Sequence, residues 1–214
     1  GINFAQFSSI DLDGNGINDL FVFDRSGLSG GKILTFLNKN IPDSAAFIHQ
    51  PQFQKKFPYL QGWALLCDYN YDSKQDIFTS NPKGGITVFK NDFSLPVGLK
   101  FSLTDSLLKA GFGTNQLEIY VNPWDIPAIN DIDNDGDLDI LSFTSGGSFV
   151  AFYKNVSIEN FGNPDSLLFE FSDACWGKFK EWSTNCNDSL GVSCKTNNPI
   201  SDDMATSVKH AGST

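Results

Sequence analysis

Three stretches of alternating apolar and polar residues recur in the same order along the chain, each broken by a nine-residue polar frame. An apolar strand runs into the frame (Phe4 to Ile10, Trp63 to Cys67, Ile126 to Ile132) and a second leaves it (Leu20 to Phe23, Ile77 to Thr79, Ile140 to Phe143). A Gly-Gly corner then starts a third strand. The third strands, Gly30 to Asn38, Gly84 to Asn91 and Gly146 to Asn155, show the period of two that a half-buried strand requires, and all end on asparagine. A fourth strand is expected at Ala46 to Phe53, Leu99 to Leu103 and Leu167 to Phe171, each after a polar connection containing proline.

Four antiparallel strands per unit, with frames starting at residues 11, 68 and 131, predict an all-β chain built as blades of a β-propeller. The repeats are placed at residues 1–57, 58–118 and 119–204, with loops at 11–19, 68–76 and 131–139. Propellers close with about four to eight blades, so three four-stranded blades are expected to be part of a larger, seven-bladed ring. Residues 205–214 resemble the approach to a first strand and are expected to begin a further, truncated blade. The chain is accordingly expected to be a processed or excised piece of a longer protein.

Composition agrees with strands. Twenty phenylalanines, nineteen glycines and one methionine favour pleated surfaces and tight corners over helices. The formal charge of -10 disfavours nucleic acid and anionic membrane surfaces, which need a basic patch. No apolar run of about 18 residues is present, so membrane insertion is not expected.

The acid is concentrated. The three frames hold 11 of the 25 acidic residues, the third holding five in Asp131-Ile132-Asp133-Asn134-Asp135-Gly136-Asp137-Leu138-Asp139. Side chains at positions 1, 3, 5 and 9 of such a loop, with the carbonyl at 7, can form the oxygen cage preferred by a hard cation such as calcium. A helix-loop-helix calcium hand would also need an acid at position 12, where Val22, Thr79 and Ser142 stand. The alternative is a polar hairpin turn rich in Asp, Asn and Gly.

These frames, with the apolar pair that follows each, resemble the calcium-binding loops of FG-GAP and VCBS repeats, over most of residues 4 to 155. The "Phe-Gly-x-Gly-x-Pro" element is only echoed, at Phe112-Gly113-Thr114 and Phe161-Gly162-Asn163-Pro164. The strand ending Phe152-Tyr153-Lys154-Asn155, the segment Cys175-Trp176-Gly177-Lys178-Phe179 and the terminal His210-Ala211-Gly212-Ser213-Thr214 are similar to secreted multi-repeat proteins of Bacteroidota, which commonly end in a type IX secretion signal. The resemblance implies two strong calcium sites. One is Asp11, Asp13, Asn15, the carbonyl of Ile17 and Asp19; the other is Asp131, Asp133, Asp135, the carbonyl of Asp137 and Asp139. It implies a weaker site at Asp68, Asn70, Asp72, the carbonyl of Lys74 and Asp76, because Ser73 replaces the usual glycine and Lys74 brings a cation near.

Between residues 173 and 198 lies an insertion containing Cys175, Cys186 and Cys194. Their spacing suits a disulfide-stapled loop of an exported protein better than a zinc site, with three pairings open and Cys67 compatible with a buried thiol. Trp176 and Trp182 are candidates for contact with a partner; the alternative is that they pack the insertion onto its own blade. Asn155-Val156-Ser157 and Asn187-Asp188-Ser189 match the glycan-acceptor pattern.

Catalytic signals are sparse, with only His49 and His210, no serine elbow and no phosphate loop. Calcium would keep the frame aspartates ionised and occupied, which makes them poor acid/base groups. The expected function is a non-enzymatic, secreted or cell-surface propeller that binds an extracellular protein or glycan. The alternatives are a self-assembling structural subunit of an extracellular filament, and, by the resemblance, the propeller of a carbohydrate-active enzyme such as a polysaccharide lyase.

Overall fold

The computed structural model describes residues 1–26, 30–182 and 187–194. The chain is all-β, its described residues forming several antiparallel sheets with one short α-helix and two 3₁₀ segments. Two compact units divide it, residues 1–107 and 108–214.

The first unit holds two four-stranded meanders. In one, β1 (Ala5–Ile10), β2 (Asp19–Asp24), β3 (Lys32–Asn38) and β4 (Phe47–His49) pair in chain order. In the other, β5 (Ala64–Cys67), β6 (Asp76–Ser80), β7 (Ile86–Asn91) and β8 (Phe101–Asp105) do the same. Burial follows position in the sheet: β6 is buried throughout, whereas β4 at an edge is exposed throughout. Ile10, Leu12, Phe21 and Phe23 of the first meander pack with Ala64, Leu66 and Ile77 of the second, with Phe57 and Leu60 from the connection between them.

The fourth strand of the first meander is shorter than expected. Pro51 has no N–H for a ladder and instead opens a 3₁₀ turn over Pro51–Lys56. Burial of Phe57 next to that turn, 4.7 Å from Phe21 between ring centres, explains why this segment is drawn inward.

The second unit contains β9 (Lys109–Phe112), β10 (Asn115–Glu118), β11 (Ala128–Asn130), β12 (Asp139–Phe143), β13 (Val150–Asn155) and β14 (Phe169–Asp173) in one six-stranded sheet. Strands β11 to β14 form the third meander. Residues 109–118, expected to finish the second repeat, form a hairpin whose β9 lies parallel to β14, pairing Ala110 with Phe169. Phe112-Gly113-Thr114 is the start of that hairpin turn, with Gly113 at φ +58. The pairing buries Ala110 and Phe169 and covers an edge that β14 would otherwise expose. A short helix, α1 (Ser157–Phe161), joins β13 to β14 and ends on Gly162 in the left-handed conformation.

The insertion forms a small hairpin, β15 (Phe179–Glu181) with β16 (Asp188–Leu190). It is tied to the third meander where the Glu181 N–H donates to the Ser148 carbonyl at 2.9 Å. A disulfide joins Cys175 to Cys194, with Cα atoms 6.2 Å apart. Cys186 and residues 205–214 lie outside the described residues. Cys67 is an unbridged thiol whose pKa is pushed up to about 11 by burial and then by the charge of Asp76. Among the described residues, no helix is long and apolar enough to cross a membrane.

Candidate metal centres

Each acidic frame forms the turn between the first and second strands of its meander, and the three turns share one backbone. Positions 4 and 6 are left-handed in all of them: Gly14 and Gly16, Tyr71 and Ser73, Asn134 and Gly136, with φ between +54 and +102. Such a conformation costs a non-glycine residue roughly 1–2 kcal/mol, so Tyr71 and Ser73 make the second loop the most strained. Curling the chain this way turns loop amides toward the first aspartate. Asp11 accepts from the N–H groups of Gly14 and Gly16 at 2.7 and 2.8 Å, Asp68 from Ser73 at 2.7 Å, and Asp131 from Gly136 at 3.2 Å.

The ninth-position aspartate is a clamp. One oxygen of Asp19, Asp76 and Asp139 accepts from the second-position amides of Leu12, Tyr69 and Ile132 at 2.9, 3.2 and 2.9 Å. The other accepts from the amides of Asn38, Asn91 and Asn155 at 2.8, 2.8 and 2.9 Å. This gives the asparagine that ends every third strand a structural reason. The Asn38 and Asn91 side chains then donate to the carbonyls of Asn18 and Gln75, at 3.1 Å in both cases. All three aspartates are almost fully buried. Burial pushes the pKa of Asp76 and Asp139 up to about 6, and raises that of Asp19, against the lowering effect of the amide donors.

Carboxylates converge in two of the loops. Oxygens of Asp11, Asp13 and Asp19 lie within 4.8 Å of one another, and so do those of Asp131, Asp133 and Asp139. In the second loop Asn70 takes the place of Asp13 and Asp133, so the same position supplies a neutral oxygen. An all-oxygen donor set with mixed carboxylate and carbonyl character fits a hard divalent cation such as calcium and suits zinc or copper poorly. Asn15, at position 5 of the first loop, turns its side-chain oxygen onto the Ile17 amide at 2.7 Å. Asp72 and Asp135 do the same to Lys74 and Asp137, at 3.0 and 3.2 Å.

Lys74 is joined at these loops by two lysines that the sequence did not single out, Lys90 and Lys154. The residue before the terminal asparagine of the third strand is Leu37 in the first meander, Lys90 in the second and Lys154 in the third. The Lys154 ammonium bonds Asp133, lies 2.8 Å from Asp135 and 2.6 Å from Glu159 on α1. Burial alone would lower the lysine pKa, but the three carboxylates hold it above the ordinary lysine range; the same contact holds Asp135 below the ordinary carboxylate range against its own burial. In the second loop Lys74 and Lys90 lie 3.6 and 4.0 Å from Asp72. Strand pairing could have revealed this, because it sets β13 directly beside the strand that leaves the loop.

The insertion places its tryptophans at the surface. Trp176 and Trp182 are 39% and 43% exposed, and Trp182 donates to Ser189 at 2.9 Å. The Lys180 ammonium lies 4.1 Å from the Trp182 ring centre and 5.3 Å from that of Phe149, so one tryptophan face is already covered from within the unit. No protein-family model matches the chain, and comparison with curated proteins and with solved structures gave no match to it.

Proposed function

We propose that the chain is a stretch of a calcium-stabilised β-propeller of the FG-GAP/VCBS type, secreted or at the cell surface, with a non-enzymatic role in binding or adhesion. The observation that carries this reading is the recurrence of one loop geometry in three meanders, with carboxylates gathered in the first and third. Calcium would be held by Asp11, Asp13, Asn15, Asp19 and the Ile17 carbonyl, and by Asp131, Asp133, Asp135, Asp139 and the Asp137 carbonyl. There it neutralises carboxylates that would otherwise repel and joins the two strands flanking the loop. Self-repulsion in a chain of formal charge -10 makes that neutralisation count.

The Cys175–Cys194 disulfide supports export, since oxidising compartments preserve such bonds and the extracellular space supplies calcium. The insertion that this disulfide closes, with Trp176 and Trp182 at its surface, is the first place to seek a partner protein or glycan. A self-assembling role has one specific support. Phe4 and Phe7, on or beside the edge strand β1, are 62% and 67% exposed, apolar side chains at an edge that another chain or blade can cover.

Melting the full chain in excess chelator and again in millimolar calcium tests the reading. Calcium is expected to raise the melting temperature substantially, and identical curves in the two conditions would sink it.

A further inference from the structure

The disulfide of the insertion closes a pocket as well as a loop. Its two cysteines stand on opposite walls, residues 173–178 and residues 191–194, which flank an open pocket of about 630 Å³. A pocket of that size suits a small ligand. The walls are joined a second time where the Val192 N–H donates to the Lys178 carbonyl at 3.1 Å, which sets their spacing. Packing does not fill the space. A Cβ at Gly177 or Gly191 would meet nothing within 4 Å, and the nearby Trp176 is 39% exposed.

One wall is held in a strained backbone. Gly177 and Lys178 are left-handed in succession, at φ +71 and +49, the second a conformation that lysine seldom adopts. Hydrogen bonds keep it there, because the Lys178 N–H donates to the Cys175 carbonyl at 3.0 Å while its own carbonyl accepts from Val192. Glycine would adopt the same backbone freely. Strain of this kind gathers at binding sites, where the side chain is needed in spite of its backbone. Opposite charges also line the pocket without pairing. Asp173 accepts from the Cys175 N–H at 2.8 Å, and among the described residues neither it nor Lys178 forms a salt bridge.

We propose that this pocket is a carbohydrate site, taking one sugar of a neutral glycan between Asp173 and Lys178 with Trp176 at its rim. It rests on the reading of the insertion as the contact surface and names what is bound there. A sugar hydroxyl both donates and accepts, so neighbouring hydroxyls can donate to the Asp173 carboxylate and accept from the Lys178 ammonium. A charged sugar would set its charge against one of the two. Trp176 lies between two residues of the wall, Cys175 and Gly177, and its exposed ring offers an apolar face to sugar C–H groups.

Titrating short neutral gluco-, manno- and galacto-oligosaccharides into the full chain, read by tryptophan fluorescence and calorimetry, tests the site. At least one is expected to bind and shift the fluorescence, with hexuronate oligomers roughly tenfold weaker. Lys178→Gly is expected to lower that affinity roughly tenfold while melting no lower than the parent chain, since it removes the ammonium and relieves the left-handed lysine together. Asp173→Asn, which keeps an oxygen for the Cys175 amide, and Trp176→Ala should weaken binding likewise. Should Trp176→Ala not fold, the other two variants decide. Tight binding retained in both Lys178→Gly and Asp173→Asn overturns the proposal, and so does a preference for hexuronates. If Trp182→Ala abolishes sugar binding while the pocket variants keep it, the pocket falls and the insertion remains the contact surface. If no oligosaccharide binds while calcium still raises the melting temperature, the carbohydrate site falls alone and the propeller reading stands.

Discussion

The first and third acidic loops have one backbone and one clamp, yet they handle their charge differently. Above the first, β3 lays Leu37, which packs against the apolar core of its unit. Above the third, β13 lays Lys154, which binds carboxylates at positions 3 and 5 and reaches Glu159 as well. Counting aspartates would rank the third loop as the stronger metal site. The contacts show that some of those aspartates already have a cation, so an arriving ion must displace it. The first loop has fewer acids and no such competitor at that position, and its order should depend on an external ion more completely.

The shared clamp sets the largest expected effect. Substituting Asp19 or Asp139 by alanine leaves two buried amides without acceptors, at about 1–3 kcal/mol each. Both variants should therefore lose about 3 kcal/mol in urea unfolding, in chelator as well as in calcium. Asp76→Ala should match them, because its two hydrogen bonds are the same even though its loop has the weaker donor set. A loss at Asp76 well below the other two would mean that the ninth aspartate acts through a metal and not as a clamp.

The strand pattern made much of this visible. Apolar runs bounded by turn residues located the strands of all three meanders to within a few residues, even where a central strand such as β6 is buried on both faces. The spacing of Asp131 to Asp139 likewise marked the loop. Three features stayed hidden because they depend on contacts distant in sequence. Lys154 meets Asp133 across 21 residues, and Asn155 meets Asp139 across 16. The β9–β10 hairpin joins a strand about sixty residues further on, and parallel pairing leaves no local turn signature to announce it.

A second contrast lies at position 4. A Cβ on Gly14 would run into the Phe93 ring of the neighbouring meander, and its φ is +78. Asn134, its counterpart, is exposed and already carries a side chain at φ +64. Gly14→Ala should cost about 2 kcal/mol, from overpacking together with left-handed strain. Asn134→Ala should lose less than half as much on thermal melting, and equal losses would show that the ring contact is unimportant.

Protons provide a milder probe of both loops. The pKa of Asp139 is raised to about 6 in the folded chain, so folding favours its protonated form. The resulting stability is fully present below the ordinary carboxylate pKa and is lost as pH rises through about 6. The metal-free chain should accordingly melt lower at pH 7 than at pH 5, by roughly 5 °C. Saturating calcium, which favours the ionised carboxylates, should shrink or reverse that difference. Asp139→Asn should reduce the metal-free slope, the remainder coming from Asp76 and Asp19, and an unchanged slope would break the link to the buried clamp.

Exchanging the residue above each loop gives the smallest effect and the most direct comparison. Leu37→Lys would bring an ammonium on a flexible stem toward Asp13, while its methylenes keep part of the core contact of Leu37. An ion pair of this partly exposed kind contributes about 1 kcal/mol at most, so the melting temperature in chelator should change little. Calcium affinity of the first loop should instead fall several-fold, and the calcium-induced rise in melting temperature should shrink with it. Lys154→Leu should move the third loop the opposite way. If both exchanges leave calcium affinity unchanged in calorimetric titration, the residue above the loop does not govern ion entry, and acid count alone would then rank the sites.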